Sequence, residues 1–276
     1  MQRVLAHAHP SALVVGSRSR ARASSLGSEA MPQKRYLLTP GPTPVPPEVL
    51  AAMAEPVIHH RSPDFKDVFS EAVDRLQQVF RTGNKVLVFT ASGTGAFESA
   101  VANLLSPGER VLVVSHGEFG TRWQKLAAAY GCEVVALDYE WGQQPLAEDV
   151  SRVLAESGAR VALLVHSETS TGVVSDIRSL VAACNDAGAI SVVDAISSLG
   201  AVPLETDDWG IDVVVTGSQK ALMTPPGLAF AAISKRAWAR SEEATLPRFY
   251  WDWRARERTR PRGAHRLRRR RRSSWL

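Results

Sequence analysis

The chain has 276 residues, 45% of them hydrophobic and 22% charged, with a formal net charge of +5. Two cysteines give no disulfide framework and fit a reducing, cytoplasmic setting, and neither a secretory signal nor an apolar run of membrane-spanning length is present. The charge is unevenly placed. Residues 254–276 hold eleven arginines against one glutamate, a net of +10, whereas residues 31–253 hold 18 Lys and Arg against 26 Asp and Glu, a net of −8. The globular part is therefore acidic, and the high isoelectric point is a property of the tail.

Residues 1–30 are rich in Ala, Ser and Arg, with no acidic residue before Glu29, which superficially matches an organelle transit peptide. A start codon placed too far upstream, with Met31 as the true start, is the preferred reading over targeting. Beyond Met31, apolar β-branched runs recur at 85–90, 110–115, 133–138, 160–166, 189–194, 211–216 and 228–233. Between them lie segments with helical spacing, among them 62–82, 118–131 and 175–188. Strands alternating with helices predict an α/β fold of three layers, with a mostly parallel seven-stranded sheet covered on both faces. Continuous apolar runs, as opposed to alternating ones, predict buried strands.

Asp194 ends one such run, Ile190-Ser-Val-Val-Asp194, and Lys220 follows in Thr216-Gly-Ser-Gln-Lys-Ala-Leu-Met-Thr-Pro-Pro-Gly227. A carboxylate at the end of a buried strand can pair with a protonated pyridine nitrogen, and a lysine one connection later can attack an aldehyde. Pyridoxal phosphate requires those two contacts. The lysine must be partly desolvated or held near other cations, and the aspartate must stay ionised. Either residue alone has an ordinary explanation, since strand-end aspartates often cap helices and most lysines are simply solvated. The frame of Gly217-Ser218 and Pro225-Pro226-Gly227 around Lys220 favours the chemical reading.

A phosphate site is available in Val86-Leu-Val-Phe-Thr-Ala-Ser-Gly-Thr-Gly-Ala-Phe-Glu98, a strand, a Gly/Ser/Thr turn and a helix start. Ser92, Gly93 and Thr94 are the expected donors, with free backbone N–H groups facing the phosphate. Turns of this type also occur in α/β proteins that bind nothing. His166, ending Val161-Ala-Leu-Leu-Val-His166, reads as a structural strand-end histidine. His59, His60 and His116 show no metal-ligand spacing, so no metal is assigned.

Six motifs carry a family resemblance: Leu38-Thr-Pro-Gly-Pro-Thr43, Ser92-Gly-Thr-Gly95, His116-Gly-Glu-Phe-Gly-Thr-Arg122, His166-Ser-Glu-Thr-Ser-Thr-Gly172, Val193-Asp-Ala-Ile-Ser-Ser-Leu-Gly200 and Gly217-Ser-Gln-Lys-Ala-Leu222. Over about residues 34 to 253 the chain resembles the class V, fold-type I aminotransferases, and within them the alanine–glyoxylate and serine–glyoxylate (serine–pyruvate) branch. The resemblance implies pyridoxal 5'-phosphate, an amino donor such as alanine or serine, a 2-oxo acid such as glyoxylate or pyruvate, and a homodimer. Lys220 would hold the cofactor covalently and shuttle the proton, and Asp194 would pair with the pyridinium. Gln219, Ser92, Gly93 and Thr94 would hold the phosphate. Thr169 would approach the ring hydroxyl, while Ile196 and Phe119 would cover the two ring faces. Without the family, Phe119 and Ile196 read equally well as core. Cys132 and Cys184 sit in packed-looking segments, which disfavours a cysteine desulfurase.

The family-like texture ends with Arg248-Phe-Tyr-Trp-Asp-Trp253, and residues 254–276 are expected to be a disordered basic tail, read out of frame. The tail stands where the family places its C-terminal small domain, which would supply the arginine that clamps the substrate carboxylate. The resemblance thus predicts a pyridoxal-phosphate-binding aminotransferase large domain over 31–253 whose activity is impaired by that loss. The competing reading is an inactive remnant whose tail binds nucleic acid or another anionic surface; nucleic acid is the disfavoured partner.

Overall fold

A computed structural model describes residues 37–259. The helices α1 (Pro47–Met53) and α2 (Pro63–Val79) come first. Then follow β1 (Lys85–Thr90), α3 (Gly93–Leu104), β2 (Arg110–Ser115), α4 (Glu118–Ala129), β3 (Glu133–Asp138), α5 (Ala147–Ser157) and β4 (Val161–Val165). A small hairpin, β5 (Ser167–Glu168) and β6 (Val173–Val174), leads to α6 (Ile177–Asp186), β7 (Ile190–Asp194), β8 (Val213–Gly217), β9 (Leu228–Ile233), α7 (Lys235–Glu243) and α8 (Trp253–Thr259). All seven apolar runs are strands of one sheet, in the order β1-β9-β8-β7-β4-β2-β3.

Pairings among β3, β2, β4, β7 and β8 are parallel, while β9 runs antiparallel to both β8 and β1. The exception has a local cause. β8 and β9 are joined by ten residues without a helix, and a parallel return would need a crossover. Register aligns the ends that matter: Asp194 pairs with Val165 on one side and Val215 on the other. Open α/β sheets bind ligands beyond such carboxyl ends.

Strands β4, β7 and β8 are buried throughout, as their unbroken apolar runs predict. β3 departs from that expectation. At the sheet edge, with one strand neighbour, its Val134, Val135 and Leu137 are only partly buried. One face of the sheet packs under α3 and α4, where Phe97 and Trp123 stack with centroids 3.8 Å apart. The other face packs under α2, α5 and α6. Helix starts follow capping rules: Ser62, Asp176 and Ser234 accept from Phe65, Ser179 and Ala237.

The C-terminal expectation needs correction for its first six residues. Residues 254–259 continue the fold in α8 instead of opening a tail; residues 260–276, like residues 1–36, lie outside the described residues. Asp252 caps α8 by accepting the N–H groups of Arg254 and Ala255 at 2.8 and 3.0 Å. Arg256 donates to the Val88 carbonyl (3.0 Å) and Tyr250 to that of Thr90 (3.1 Å), so the segment covers the free edge of β1. Trp253 is fully buried, and its indole N–H donates to Ser99 Oγ at 3.2 Å. Arg254 pairs with Glu242, and Glu257 with Lys85. Among the described residues no helix is long and apolar enough to cross a membrane.

If this segment belongs to the fold, Trp253→Ala lowers the unfolding free energy by about 3–5 kcal/mol, the usual cost of emptying a large aromatic site. Urea denaturation measures it, and a change below about 0.5 kcal/mol, typical of surface positions, would place residues 253–259 outside the core.

Candidate active site

The site starts at the carboxyl end of β7. Asp194 is buried there, and its Oδ1 accepts the Ile196 N–H at 2.8 Å. Burial raises its pKa to about 7. The Ile196 N–H opposes that rise, the negative charge of Glu168 adds to it, and the positive charges of Lys220 and Arg122 oppose it. Burial thus disfavours the ionised form in the cofactor-free protein, and a further cation beside the carboxyl would favour it.

Lys220 lies in the β8–β9 connection, held by its backbone. Thr43 donates its N–H to the Gln219 carbonyl (2.9 Å) and its hydroxyl to the Lys220 carbonyl (2.7 Å). The lysine stem lies on Gly41, where a Cβ would fall 2.2 Å from Lys220 Cδ; Gly41 also has φ +153°. The positive φ favours glycine, and any side chain there would push the lysine stem aside, which accounts for Gly41 in the Thr-Pro-Gly-Pro-Thr segment. Burial lowers the Lys220 pKa, the Asp194 charge opposes this, and Arg122 adds to it. A partly desolvated amine near a second cation is the state a nucleophilic lysine needs.

The Gly/Ser/Thr turn abuts this pair. Ser92 is the N-cap of α3, yet no side chain caps the helix. Gly93 presses on Ile196, whose Cδ1 would be 2.3 Å from an added Cβ. A Cβ on Gly217 would lie 3.1 Å from Gln219 Oε1 and 3.5 Å from the Gly93 nitrogen, so Gln219 closes the same cluster. Gln219 Oε1 is buried without a hydrogen-bond partner. An unpaired side-chain amide beside an uncapped helix start is a set of polar groups arranged for an anion, since rotating the amide presents its NH₂.

Thr169 and Phe119 occupy the neighbouring loops. The Thr169 and Ser197 hydroxyls are 2.6 Å apart, in the turn that follows Asp194 and Ile196. Phe119 sits in the first turn of α4, with the Arg122 guanidinium 4.8 Å over its ring. Gly93 thus packs on Ile196, Gln219 lies beside Gly217 next to the Gly93 backbone, and charge couples Asp194 to Lys220. Sequence reading missed Gly41, Thr43, Arg122 and Glu168, although each lies inside a quoted motif. A glutamate two residues beyond a strand-end histidine was the available signal for the last.

His166 is buried just past the end of β4, and burial holds its pKa down to about 4. Cys132 and Cys184 are buried, and desolvation pushes their thiols up to about 11 and about 12.

These features define an α/β domain with an uncapped helix start and a desolvated Asp/Lys pair at the end of its sheet. The family model for aminotransferase class-V matches residues 35–246, and the chain belongs to that family. It is 42% identical over 226 residues to a Synechococcus sp. protein named soluble hydrogenase small subunit, covering 80% of this chain and 59% of that one. It is 39% identical over 228 residues to the L-aspartate–glyoxylate aminotransferase of Paracoccus denitrificans, covering 80% and 58%. The solved alanine–glyoxylate aminotransferase of Nostoc sp. is 32% identical, with a TM-score of 0.78 over 84% of this chain and 62% of that one. The chain thus spans about three-fifths of the length of these relatives. The cofactor of the family is pyridoxal 5'-phosphate, and the unpaired Gln219 amide, the uncapped α3 start and the Lys220 amine fit its phosphate and aldehyde.

Because the raised pKa of Asp194 lies above its unfolded value, the folded protein binds that proton more tightly. The associated stability is present below about pH 4 and is lost as pH rises towards 7. Asp194→Asn removes the titration, so the cofactor-free variant is expected to be more stable than wild type at pH 8, by on the order of a few kcal/mol. The difference shrinks to nothing towards pH 4. Thermal or urea unfolding across that range checks it, and a variant less stable at pH 8 would contradict the assigned burial cost.

Proposed function

We propose that this chain is the cofactor-binding large domain of an aminotransferase that moves an amino group between a small amino acid, alanine or serine, and a 2-oxo acid such as glyoxylate. The observation that carries the reading is the fully buried Asp194 at the end of β7, with the stem of the desolvated Lys220 seated on Gly41 beside an uncapped helix start. Bound pyridoxal phosphate supplies an electron-accepting ring that stabilises negative charge at the substrate Cα. Ser92, Gly93, Thr94 and Gln219 would hold its phosphate, and Lys220 Nζ would condense with its aldehyde with loss of water. Asp194 would keep the ring nitrogen protonated. Ile196 and Phe119 would cover the two faces, and Thr169 would approach the ring hydroxyl. The Lys220 amine, when free, would serve as the base that takes and returns the proton.

Two further features belong to this reading. Leu38, Leu50, Met53, Val57, Ile58 and Val68 are exposed along the N-terminal segment, α1 and α2, and such an apolar set supports a homodimer. Two buried free cysteines support a reducing cytoplasmic location. The domain extends beyond Trp253 to include α8.

The chain mixed with pyridoxal phosphate is expected to show a visible absorption band that Lys220→Ala abolishes, and alanine or serine should convert it. A missing band, or one that survives in Lys220→Ala, would overturn the proposal. Gly41→Ala should weaken cofactor binding about tenfold or more in equilibrium titration, because displacing the lysine stem costs ~1–3 kcal/mol. Unchanged affinity would mean that the stem is not held by Gly41.

A further inference from the structure

Glu168, the second residue of β5, is fully buried, yet all four hydrogen bonds to its carboxylate come from neutral donors. Its Oε2 accepts the backbone N–H groups of Phe119 and Gly120 at 3.0 and 3.3 Å. Its Oε1 accepts the N–H and hydroxyl of Ser170 at 3.1 and 2.6 Å. The Ser170 oxygen in turn accepts the Glu118 N–H at 3.0 Å.

Three successive N–H groups at the start of α4, which no carbonyl of the helix can satisfy, are therefore satisfied from β5 and the residues after it. The helix has no local alternative, since its N-cap is Gly117. A side chain there would displace the clamp itself, since a Cβ would fall 2.5 Å from both Glu168 Cγ and Ser170 Oγ. The positive end of the α4 dipole offsets the cost of the buried carboxylate.

The contacts continue towards the site. Thr169, between Glu168 and Ser170, reaches Ser197 at 2.6 Å, and Ser197 follows Ile196, whose N–H is held by Asp194. One line of hydrogen bonds and peptide links thus runs from the backbone of Phe119 to Asp194.

We propose that Glu168 is a positioning residue, which fixes the Phe119 ring by clamping the first turn of α4 and ties that turn to Thr169. The two loops that contact the cofactor ring are then set as one unit. This rests on the reading of Phe119 and Thr169 as cofactor contacts, whereas the clamp itself is a property of the cofactor-free protein.

The test has two arms. In the cofactor-free chain, Glu168→Gln replaces one acceptor oxygen by a donor. Amide hydrogen exchange of residues 118–120 should accelerate at least about tenfold, a loss of about 1.4 kcal/mol of local protection. Unchanged exchange overturns the clamp. Ser170→Ala, which removes one hydroxyl, should give a smaller acceleration of the same amides and carries this arm if Glu168→Gln does not fold.

In the second arm, pyridoxal phosphate affinity is measured for Glu168→Gln, Phe119→Leu and the double variant, with Ser170→Ala again replacing a non-folding Glu168→Gln. The expected result is a roughly tenfold loss for Glu168→Gln that falls below about threefold in the Phe119→Leu background. An undiminished loss in that background overturns the positioning role. A wild-type chain that fails to bind the cofactor overturns the functional reading and, with it, the assignment of Phe119 as a ring contact, while the exchange arm still decides the clamp.

Discussion

The carboxyl group of Asp194 is buried at the end of a strand that has a neighbour on each side, and the surrounding site follows from that constraint. A carboxylate out of water is unfavourable unless charges or hydrogen bonds compensate it. Here the compensation is partial: one backbone N–H touches it, two cations act from nearby, and Glu168 acts against them. Its pKa of about 7 expresses that shortfall. A buried group left short of positive charge favours a cation beside it, and in the proposed function a protonated ring nitrogen would meet that need.

The topology converges on the same place. Parallel pairing of β4, β7 and β8 brings their carboxyl ends into register, so the loops carrying Thr169, Ile196 and Lys220 leave the sheet side by side. The antiparallel return of β9 keeps the lysine connection short, and Ser218 ties its two ends through the Leu228 carbonyl at 2.9 Å. In the proposed function that rigidity would limit the alternatives open to Lys220 as it reaches an aldehyde. Gly41 and Thr43 add a second restraint from a segment far away in sequence.

The strands were legible in the sequence because buried parallel strands leave continuous β-branched runs, and the seven runs map onto seven strands with shifts of at most two residues. The positions of Asp194 at a strand end and of Lys220 in a loop were legible for a different reason, since an apolar run that stops at a charged residue and a glycine- and proline-framed segment mark such places. The edge position of β3 was not legible, because Val134, Val135 and Leu137 carry the same residue types as a central strand. Helix α8 was hidden by its arginines, although Asp252 ahead of Trp253 is a cap signal. Glu168 and Gly41 were hidden because their meaning is tertiary: one clamps a helix about fifty residues away, and the other makes room for a side chain nearly 180 residues later.

The most direct measurement is chemical. The chain is incubated with pyridoxal phosphate and reduced with borohydride, and its peptides are mapped by mass spectrometry. The account requires the pyridoxyl mass on Lys220, at near-stoichiometric yield and in preference to the other lysines. Label spread over surface lysines, or concentrated on any lysine other than Lys220, would contradict it.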